Sequence, residues 1–233
     1  GEATADHPVS YPRPGWSEQD PEHWWTSTVA AVQRATAGGL AERVEGIGLS
    51  GQMHGLVTLD SAGEVVRPCI LWNDSRSAAI CDALQDREPG LETLLRTTGN
   101  RVFPGFQAPK LLWMREHEPA AFARVAKALL PKDWLRYRLS GAYMGEPSDA
   151  SGTAVFDCAR RNWSDEMLSI MRLPRALFPD VAESPVLSTR LSTAAARALG
   201  LRAGIGIAGG AGDQAAAAVG SGIVAEGTVS CCI

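Results

Sequence analysis

The amino-acid sequence predicts an α/β fold with a mixed β-sheet flanked by helices. Strand-like segments with alternating apolar residues recur along the chain, as at 44–50 and 205–208. Amphipathic helical patterns lie between them, and glycine- or proline-containing turns separate the two kinds of element. Such alternation is typical of the α/β class, in which helices cover the faces of a sheet. No internal repeat or linker interrupts the pattern.

The first third of the chain predicts one helix followed by strands. Ser17 is a candidate N-cap, Asp20-Pro21-Glu22 suits a first helical turn, and Gly38-Gly39 ends the helix near Ala37. Strands are predicted at 44–50, 55–60, 65–66 and 69–72.

The remainder is predicted to be mainly helical. Ser164 and Ser192 are candidate N-caps, and the polar, turn-rich segment 145–153 is predicted to be a loop. Helices are predicted at 75–85, 91–97, 108–117, 132–139, 164–171 and 192–199, followed by a strand at 205–208, a glycine turn at 209–213 and a small-residue helix at 215–219.

Composition disfavours several classes of partner. The 233 residues carry a net charge of −4, which provides no general attraction to nucleic acid or to anionic membranes. No run of about 18 apolar residues is present, and the N-terminus lacks the pattern of a signal peptide. We therefore expect a cytoplasmic protein with no nucleic-acid and no membrane partner.

The cysteines predict neither a disulfide framework nor a metal site. Their number, 5, is odd, and no CxxC spacing occurs. We expect reduced thiols that serve as small core residues, and no metal ligands. The cysteines are Cys69, Cys81, Cys158, Cys231 and Cys232.

The first candidate site is the segment 208–220, where glycines and then alanines follow a strand. Glycines allow a ligand to approach the backbone closely, and a carboxylate at Asp213 can project into a cleft. The alternative is that Asp213 only caps the following helix. A dinucleotide-binding interpretation is weaker, because the glycine spacing is wrong.

The second candidate is Ser50–Gly55, where two glycines bracket Gln52, Met53 and His54 between two strands. Polar side chains there would emerge at the end of a sheet. His54 has no HxxxH or HxH companion, so a metal site is not expected. The alternative is a hydrogen-bonded structural histidine.

Two further segments carry grouped polar residues. Asn73, Asp74 and Arg76 follow a strand, and the alternative there is a capped helix with a surface ion pair. Segments 130–135 and 147–153 could hold a polyol through hydroxyl and carboxylate groups, or could be ordinary caps and turns. Serine hydrolase and cysteine protease interpretations fail, since GxSxG is absent and no cysteine has a convincing histidine partner.

Seven segments in this order resemble the N-terminal domain of the FGGY family of carbohydrate kinases, and within it the bacterial xylulokinases. The resemblance covers essentially residues 1–233, and the number, order and spacing of the segments make it specific. The segments are 16–25, 51–55, 70–76, 105–113, 130–135, 148–153 and 210–214.

The resemblance implies an RNase H-like (actin/hexokinase-type) domain that forms one lobe of a two-lobe kinase. It implies that Asp213 is the general base, that Gln214 helps to hold sugar hydroxyls, and that Met53 and His54 contact the sugar. Gly105 replaces a sugar-contacting residue of some relatives, so that role is not transferred.

The resemblance also implies ATP as phosphoryl donor, Mg²⁺ as cofactor and D-xylulose as substrate, giving D-xylulose 5-phosphate. The alternatives are ribulose, fuculose, gluconate or glycerol, or a sugar-binding module without catalysis. The family's first phosphate-loop hairpin and its ATP-binding lobe are not in these residues, and the strand-like run 228–233 ends the sequence. We therefore expect a fragment that is inactive alone. We expect its parent enzyme to be a homodimer, because the family is often dimeric.

Overall fold

The computed structural model describes residues 1–87, 89–229 and 231. The helices are α1 (Pro21–Ala35), α2 (Ala78–Asp86), α3 (Leu91–Thr98), α4 (Gln107–His117), α5 (Pro119–Phe122), α6 (Pro131–Ser140), α7 (Pro147–Ala150), α8 (Asp165–Met171), α9 (Thr193–Leu199) and α10 (Asp213–Gly220). Short 3₁₀ helices cover Leu40–Arg43, Ser151–Thr153 and Arg175–Leu177.

The strands are short. They are β1 (Glu18–Gln19), β2 (Gly46–Ile47), β3 (Ser50–Gly51), β4 (Val57–Leu59), β5 (Cys69–Ile70), β6 (Lys127–Leu129), β7 (Met144–Gly145), β8 (Phe156–Asp157), β9 (Asn162–Trp163), β10 (Asp180–Val181), β11 (Leu187–Arg190), β12 (Gly206–Ala208) and β13 (Ala211–Gly212).

Strand pairing confirms the α/β class and the mixed character of the sheet. Strand β12 pairs in parallel with β2 and antiparallel with β11. The parallel pairing continues between β13 and β3, so two chain segments run side by side in the same direction. The pairs β1–β5, β4–β6 and β8–β9 are antiparallel, whereas β7–β10 is parallel.

Three buried apolar clusters hold helices to strands. Helix α4 lies at the centre of the first cluster, with every residue from Gln107 to Met114 buried. Burial of one large aliphatic or aromatic side chain contributes roughly 1.5–3 kcal/mol. The second cluster includes Trp24 of α1 and Trp134 of α6, whose rings meet edge to face, and the third joins α9 to β12.

The helix caps agree only in part with the sequence. The hydroxyls of Ser164 and Ser192 accept the N–H groups of the third following residues, as predicted. The cap predicted at Ser17 is wrong, because the Asp20 carboxylate caps α1 by accepting the N–H of Glu22. Ser17 is buried instead, and its N–H donates to Asp74.

The loop predicted at 145–153 is wrong. This segment forms α7 and the 3₁₀ turn that follows it. The carboxylate of Glu146 caps α7 by accepting the N–H groups of Ser148 and Asp149, while Pro147 occupies the first turn. Serine, aspartate and glycine favour turns, and the sequence alone did not show that a buried cap would organise them.

Strand 44–50 is also interrupted, since β2 and β3 are separated by Gly48-Leu49. The strand-like run predicted at 228–233 lies partly outside the described residues, as does Cys232. Cys69 is fully buried, and burial raises the pKa of its thiol to about 12. Over the described part of the chain, no helix combines the length and apolar character that crossing a membrane requires.

Candidate functional site

Two turns meet at one edge of the sheet. Because β3 and β13 are parallel neighbours, with Ser50 opposite Ala211 and Gly51 opposite Gly212, the residues that follow them emerge at the same edge. Ligands of α/β folds commonly bind at the carboxyl ends of such strands. The turn after β3 carries Met53 and His54, and the residue after β13 is Asp213.

Gly212 brings these two turns into contact. A Cβ atom built on Gly212 would lie 2.7 Å from Cγ and 2.9 Å from Sδ of Met53. A real side chain there would displace Met53, so the glycine permits the thioether to lie against the backbone just before Asp213. Met53 therefore lies against the residue that directly precedes Asp213.

Asp213 is the first residue of α10 and is half-buried. The N-cap position belongs to Gly212, and no side chain caps the helix. The Asp213 Oδ1 atom accepts the N–H of the adjacent Gln214 at 2.8 Å, and among the described residues Oδ2 accepts no hydrogen bond. One carboxylate oxygen of Asp213 thus contacts the first turn of α10, and the other is free at the edge of the sheet.

Gln214 follows on the exposed side of α10. Its backbone N–H holds the Asp213 carboxylate, while its side chain faces solvent. The amide therefore lies beside the carboxylate, with donor and acceptor groups available to a polar ligand.

The backbone conformation of His54 and two contacts fix the direction of its ring. Its backbone has φ 69°, in the left-handed region, and its ring stacks on Phe106 with centroids 4.8 Å apart. Its Nδ1 atom lies 3.0 Å from the carbonyl oxygen of Gly152. Because a carbonyl only accepts, Nδ1 must carry the hydrogen, which leaves the lone pair on Nε2.

The electrostatic surroundings favour a neutral His54. Burial lowers the pKa of the imidazole below its usual value, and the nearby Lys110 ammonium lowers it further. The hydrogen bond to Gly152 and the negative charge of Asp213 oppose this shift without reversing it. At neutral pH, Nε2 is therefore a hydrogen-bond acceptor.

Gly152 is a steric requirement of this arrangement. A Cβ atom built there would lie 2.2 Å from Nδ1 of His54 and 3.4 Å from Cε of Met53. Any side chain at Gly152 would push the His54 ring away from its present position and would touch Met53. The 3₁₀ turn that carries Gly152 thus packs directly against the Met53–His54 turn.

Behind β3 lies a buried ionic cluster formed by Lys132, Asp133 and Asp149. The Lys132 Nζ atom is 2.8 Å from Asp133 and 3.6 Å from Asp149, and none of the three side chains is more than 2% exposed. Burial raises the pKa of Asp149 well above its usual range, although the Lys132 charge opposes this. The carboxylates that the sequence offered as polyol contacts are therefore enclosed within the protein.

Helices α6 and α7 also hold the segment that leads to Asp213. The Ser148 hydroxyl donates to Glu146 at 2.7 Å and accepts the N–H of Gly212 at 3.1 Å. The Arg136 guanidinium donates to the carbonyl oxygens of Ala208, at 2.8 Å, and Gly209, at 2.5 Å. Buried polar groups thereby fix the backbone on the N-terminal side of Asp213.

The Asp74–Arg76 pair has a structural environment. It is buried rather than on the surface, with side chains 0% and 1% exposed. Arg76 also pairs with Glu18, and its guanidinium lies 3.7 Å from the ring centroid of Trp16. The pair links the N-terminal segment to α2 and does not join the turns that carry His54 and Asp213.

Within residues 1–87, 89–229 and 231, no group of three or more His, Cys, Asp or Glu side chains is arranged to hold a metal ion. Mg²⁺ in phosphoryl-transfer sites is usually held by one or two carboxylates together with substrate phosphates, so Asp213 is the carboxylate of this edge that could contribute to such a site.

Sequence reasoning missed the importance of Lys110, Ser148 and Gly152. Lys110 is fully buried, and its Nζ donates to the carbonyl oxygen of His54 at 3.0 Å. A lysine within the apolar run of α4 was a usable signal, because lysine is almost never fully buried without a partner. The contacts of Ser148 and Gly152 cross about 60–100 residues of sequence, and no local pattern encodes them.

Comparison with known proteins identifies relatives along the whole chain. Residues 1–220 match the N-terminal domain of the FGGY family of carbohydrate kinases. The chain is 45% identical over 231 residues to the xylulose kinase of Klebsiella pneumoniae, covering 97% of this chain and 47% of the relative. It is 44% identical over 216 residues to the xylulose kinase of Escherichia coli, covering 93% and 44%.

The fold agrees with a solved structure from the same group. The crystal structure of xylulose kinase from Rhodospirillum rubrum superposes with a TM-score of 0.90 at 30% identity, covering 95% of this chain and 46% of that one. This agreement confirms the lobe of actin/hexokinase type that the resemblance implied. The chain spans about half the length of the relatives that it matches. It belongs to the FGGY family of carbohydrate kinases.

Proposed function

We propose that this chain is the sugar-binding lobe of a kinase that transfers the γ-phosphoryl group of ATP to D-xylulose. The observation that carries the proposal is the parallel pairing of β3 with β13, which brings the Met53–His54 turn and Asp213 to one edge of the sheet. The relatives named xylulose kinase support the choice of sugar.

Asp213 is the general base of the proposed reaction. A sugar hydroxyl is a poor nucleophile until a carboxylate within reach accepts its proton. The free Oδ2 of Asp213 takes the proton of the C5 hydroxyl as that oxygen bonds to the γ-phosphorus, and the bond to the leaving ADP breaks. The products are D-xylulose 5-phosphate and ADP.

Met53, His54 and Gln214 are the proposed sugar contacts. The Nε2 lone pair of neutral His54 accepts a hydrogen bond from a sugar hydroxyl, and the Met53 side chain packs against the carbon skeleton. The exposed Gln214 amide donates to and accepts from hydroxyls beside Asp213. The hydrogen bond that the Gly212 N–H donates to the Ser148 hydroxyl holds the backbone before Asp213 in position relative to these contacts.

ATP and Mg²⁺ are proposed to bind mainly outside this chain. The relatives are about twice as long as this chain, which leaves room in them for a nucleotide-binding lobe. We regard residues 1–233 as the N-terminal sugar-binding domain without its first phosphate-loop hairpin. A cytoplasmic location and assembly as a homodimer follow from the family resemblance alone.

A substrate panel on the full-length protein tests the proposal. ATP consumption is measured with D-xylulose, ribulose, fuculose, gluconate and glycerol, and the highest kcat/KM is expected for D-xylulose. Residues 1–233 alone serve as the control and should show no ATP-dependent phosphorylation. Preference for another sugar would contradict the proposed substrate, and turnover by residues 1–233 alone would contradict the domain assignment.

A further inference from the structure

Lys110 is a buried cation with an unusual set of partners. Its side chain is 0% exposed, and burial lowers the pKa of its ammonium group to about 7. It takes part in no ion pair among the described residues, where Lys132 has two carboxylates. The Nζ atom donates instead to the carbonyl oxygens of His54, at 3.0 Å, and Gly105, at 2.5 Å.

The position of Lys110 on its helix makes a positive charge there unfavourable in free energy. Lys110 lies in the first turns of α4, where the helix dipole disfavours a positive charge. Desolvation of an ammonium group also costs free energy that two neutral carbonyls offset only partly. A methionine or leucine would fill the same space without either penalty but would leave both carbonyl oxygens without this donor, so the lysine serves to hold the two carbonyls rather than to fill the space.

The two carbonyls that Lys110 holds belong to two turns that also meet through their rings. His54 follows Met53 in one turn, and Gly105 precedes Phe106 in the other. The rings of His54 and Phe106 stack with an interplanar angle of 20°. Lys110 therefore links the backbones of the two turns whose His54 and Phe106 rings stack on each other.

The hydrogen bond from Lys110 affects the backbone conformation of His54. Its left-handed backbone is unfavourable for a residue with a Cβ atom and persists only where the surroundings impose it. The bond from Nζ to the His54 carbonyl oxygen imposes that backbone direction, and the bond from Nδ1 to Gly152 then fixes the ring.

We propose that Lys110 is a positioning residue for sugar binding, which holds the His54 turn so that Nε2 faces the substrate. The inference rests on the proposed function, in which His54 accepts a hydrogen bond from the sugar. Lys110 itself touches no substrate. Its effect should therefore appear in sugar binding and should pass through His54.

The test uses the full-length enzyme and the sugar that the wild type phosphorylates best in the substrate panel. Lys110→Met keeps the approximate volume and removes both hydrogen bonds. We expect the KM for the sugar to rise about tenfold or more, with kcat and the KM for ATP within about twofold of wild type. In a His54→Ala background the same substitution should raise the KM little further, because the contact that it positions is already lost.

Two further variants complete the design. Lys127→Met is the matched control, because Lys127 also donates to a backbone carbonyl, that of Ala176, on another face of the protein. Lys110→Gln covers the case in which Lys110→Met does not fold: its amide keeps a buried donor but is one atom too short to reach both carbonyls. It should raise the sugar KM in the same direction.

The outcomes separate the two proposals. An unchanged sugar KM in a folded Lys110 variant, or KM effects of Lys110→Met and His54→Ala that multiply, would overturn the positioning role while the kinase assignment stands. A wild-type enzyme without sugar kinase activity would overturn the proposed function and the inference with it.

Discussion

The two sides of strand β3 show opposite uses of polar side chains. Behind the strand, the buried ionic cluster of Lys132, Asp133 and Asp149 is enclosed, and Lys132 pairs with the two carboxyl groups of the cluster. In front, the turn site formed by Met53, His54 and Asp213 is half-buried, and hydrogen-bonding capacity at His54 Nε2 and Asp213 Oδ2 faces outward. Residues with free capacity at an open edge can act on a ligand, whereas enclosed ones hold the scaffold.

The two regions are mechanically connected. A Cβ atom built on Gly51 would lie 3.3 Å from Cβ of Lys132, so the start of α6 packs directly against β3. The turn site continues from the end of that strand. The buried ionic cluster therefore supports the strand that presents Met53 and His54, and substitutions in the two regions should have different signatures.

The largest expected effect is that of Asp213→Asn on catalysis. The substitution keeps the shape of the side chain and removes the proton acceptor. We expect kcat of the full-length enzyme to fall about 10²–10⁴-fold, while the KM values for sugar and ATP and the melting temperature change little. Steady-state kinetics with both substrates and a thermal unfolding curve provide the measurement.

Asp20→Asn is the control for Asp213→Asn, because Asp20 does cap a helix and asparagine caps nearly as well. It should leave kcat and melting temperature close to wild type. If Asp213→Asn behaved like Asp20→Asn, Asp213 would be a structural residue and the catalytic assignment would be lost.

The next largest effect is expected for Lys132→Met, in the buried ionic cluster behind β3. Lys132→Met leaves Asp133 buried without its cation, and breaking a buried pair in this way typically costs about 3–5 kcal/mol of the free energy of unfolding. Urea denaturation measures the loss, and the enzyme that stays folded should keep its kcat.

Asp149→Asn is the matched comparison within the same cluster. Burial already favours the neutral form of Asp149, and its oxygens accept no hydrogen bond from a described residue. Asp149→Asn should therefore lower the free energy of unfolding clearly less than Lys132→Met does. Equal costs, or a loss of kcat at full stability, would contradict the division between an enclosed scaffold and an open site.

The sequence predicted the open region better than the enclosed one. Glycines beside Met53, His54 and Asp213 are a local signal, because they mark turns that a ligand can approach. The parallel pairing that joins the two turns is a contact between residues about 160 positions apart, and no local pattern predicted it.

The enclosed region escaped prediction for a physical reason. Lys132, Asp133 and Asp149 are residue types that usually lie on the surface, and their burial depends on packing between α6 and α7. The helix at 147–150 depends on its Glu146 cap, whose second oxygen also accepts the Ser148 hydroxyl. Neither feature appears in periodicity or composition.

A moderate effect is expected for His54 in the open region. His54→Ala removes the Nε2 acceptor and should raise the KM for the sugar. The corresponding loss of binding free energy is about 1–3 kcal/mol. His54→Asn is the companion variant, because asparagine tolerates the left-handed backbone and keeps the turn while lacking the reach of Nε2. An unchanged sugar KM with a lowered melting temperature would assign His54 to the scaffold instead.

The smallest expected effect is a pH dependence of sugar binding. Burial and the Lys110 charge lower the pKa of His54 below its usual value of about 6.5. The neutral acceptor is therefore present above about pH 6.5 and is lost as the pH falls through the lowered pKa, where Nε2 becomes a donor. The sugar KM of the wild type should rise in acid, as the pH falls through the lowered pKa of His54.

The same protonation should weaken folding, because a depressed histidine pKa contributes stability that is present above the unfolded pKa and is lost as the pH falls through the folded one. His54→Asn removes the titrating group and should flatten the acid rise in sugar KM, while dependences due to other groups remain in both proteins. The informative quantity is the ratio of the two KM values between pH 5 and pH 8. A ratio that stays constant over this range would show that the protonation of His54 does not control sugar binding, and would move His54 from the open site to the enclosed scaffold.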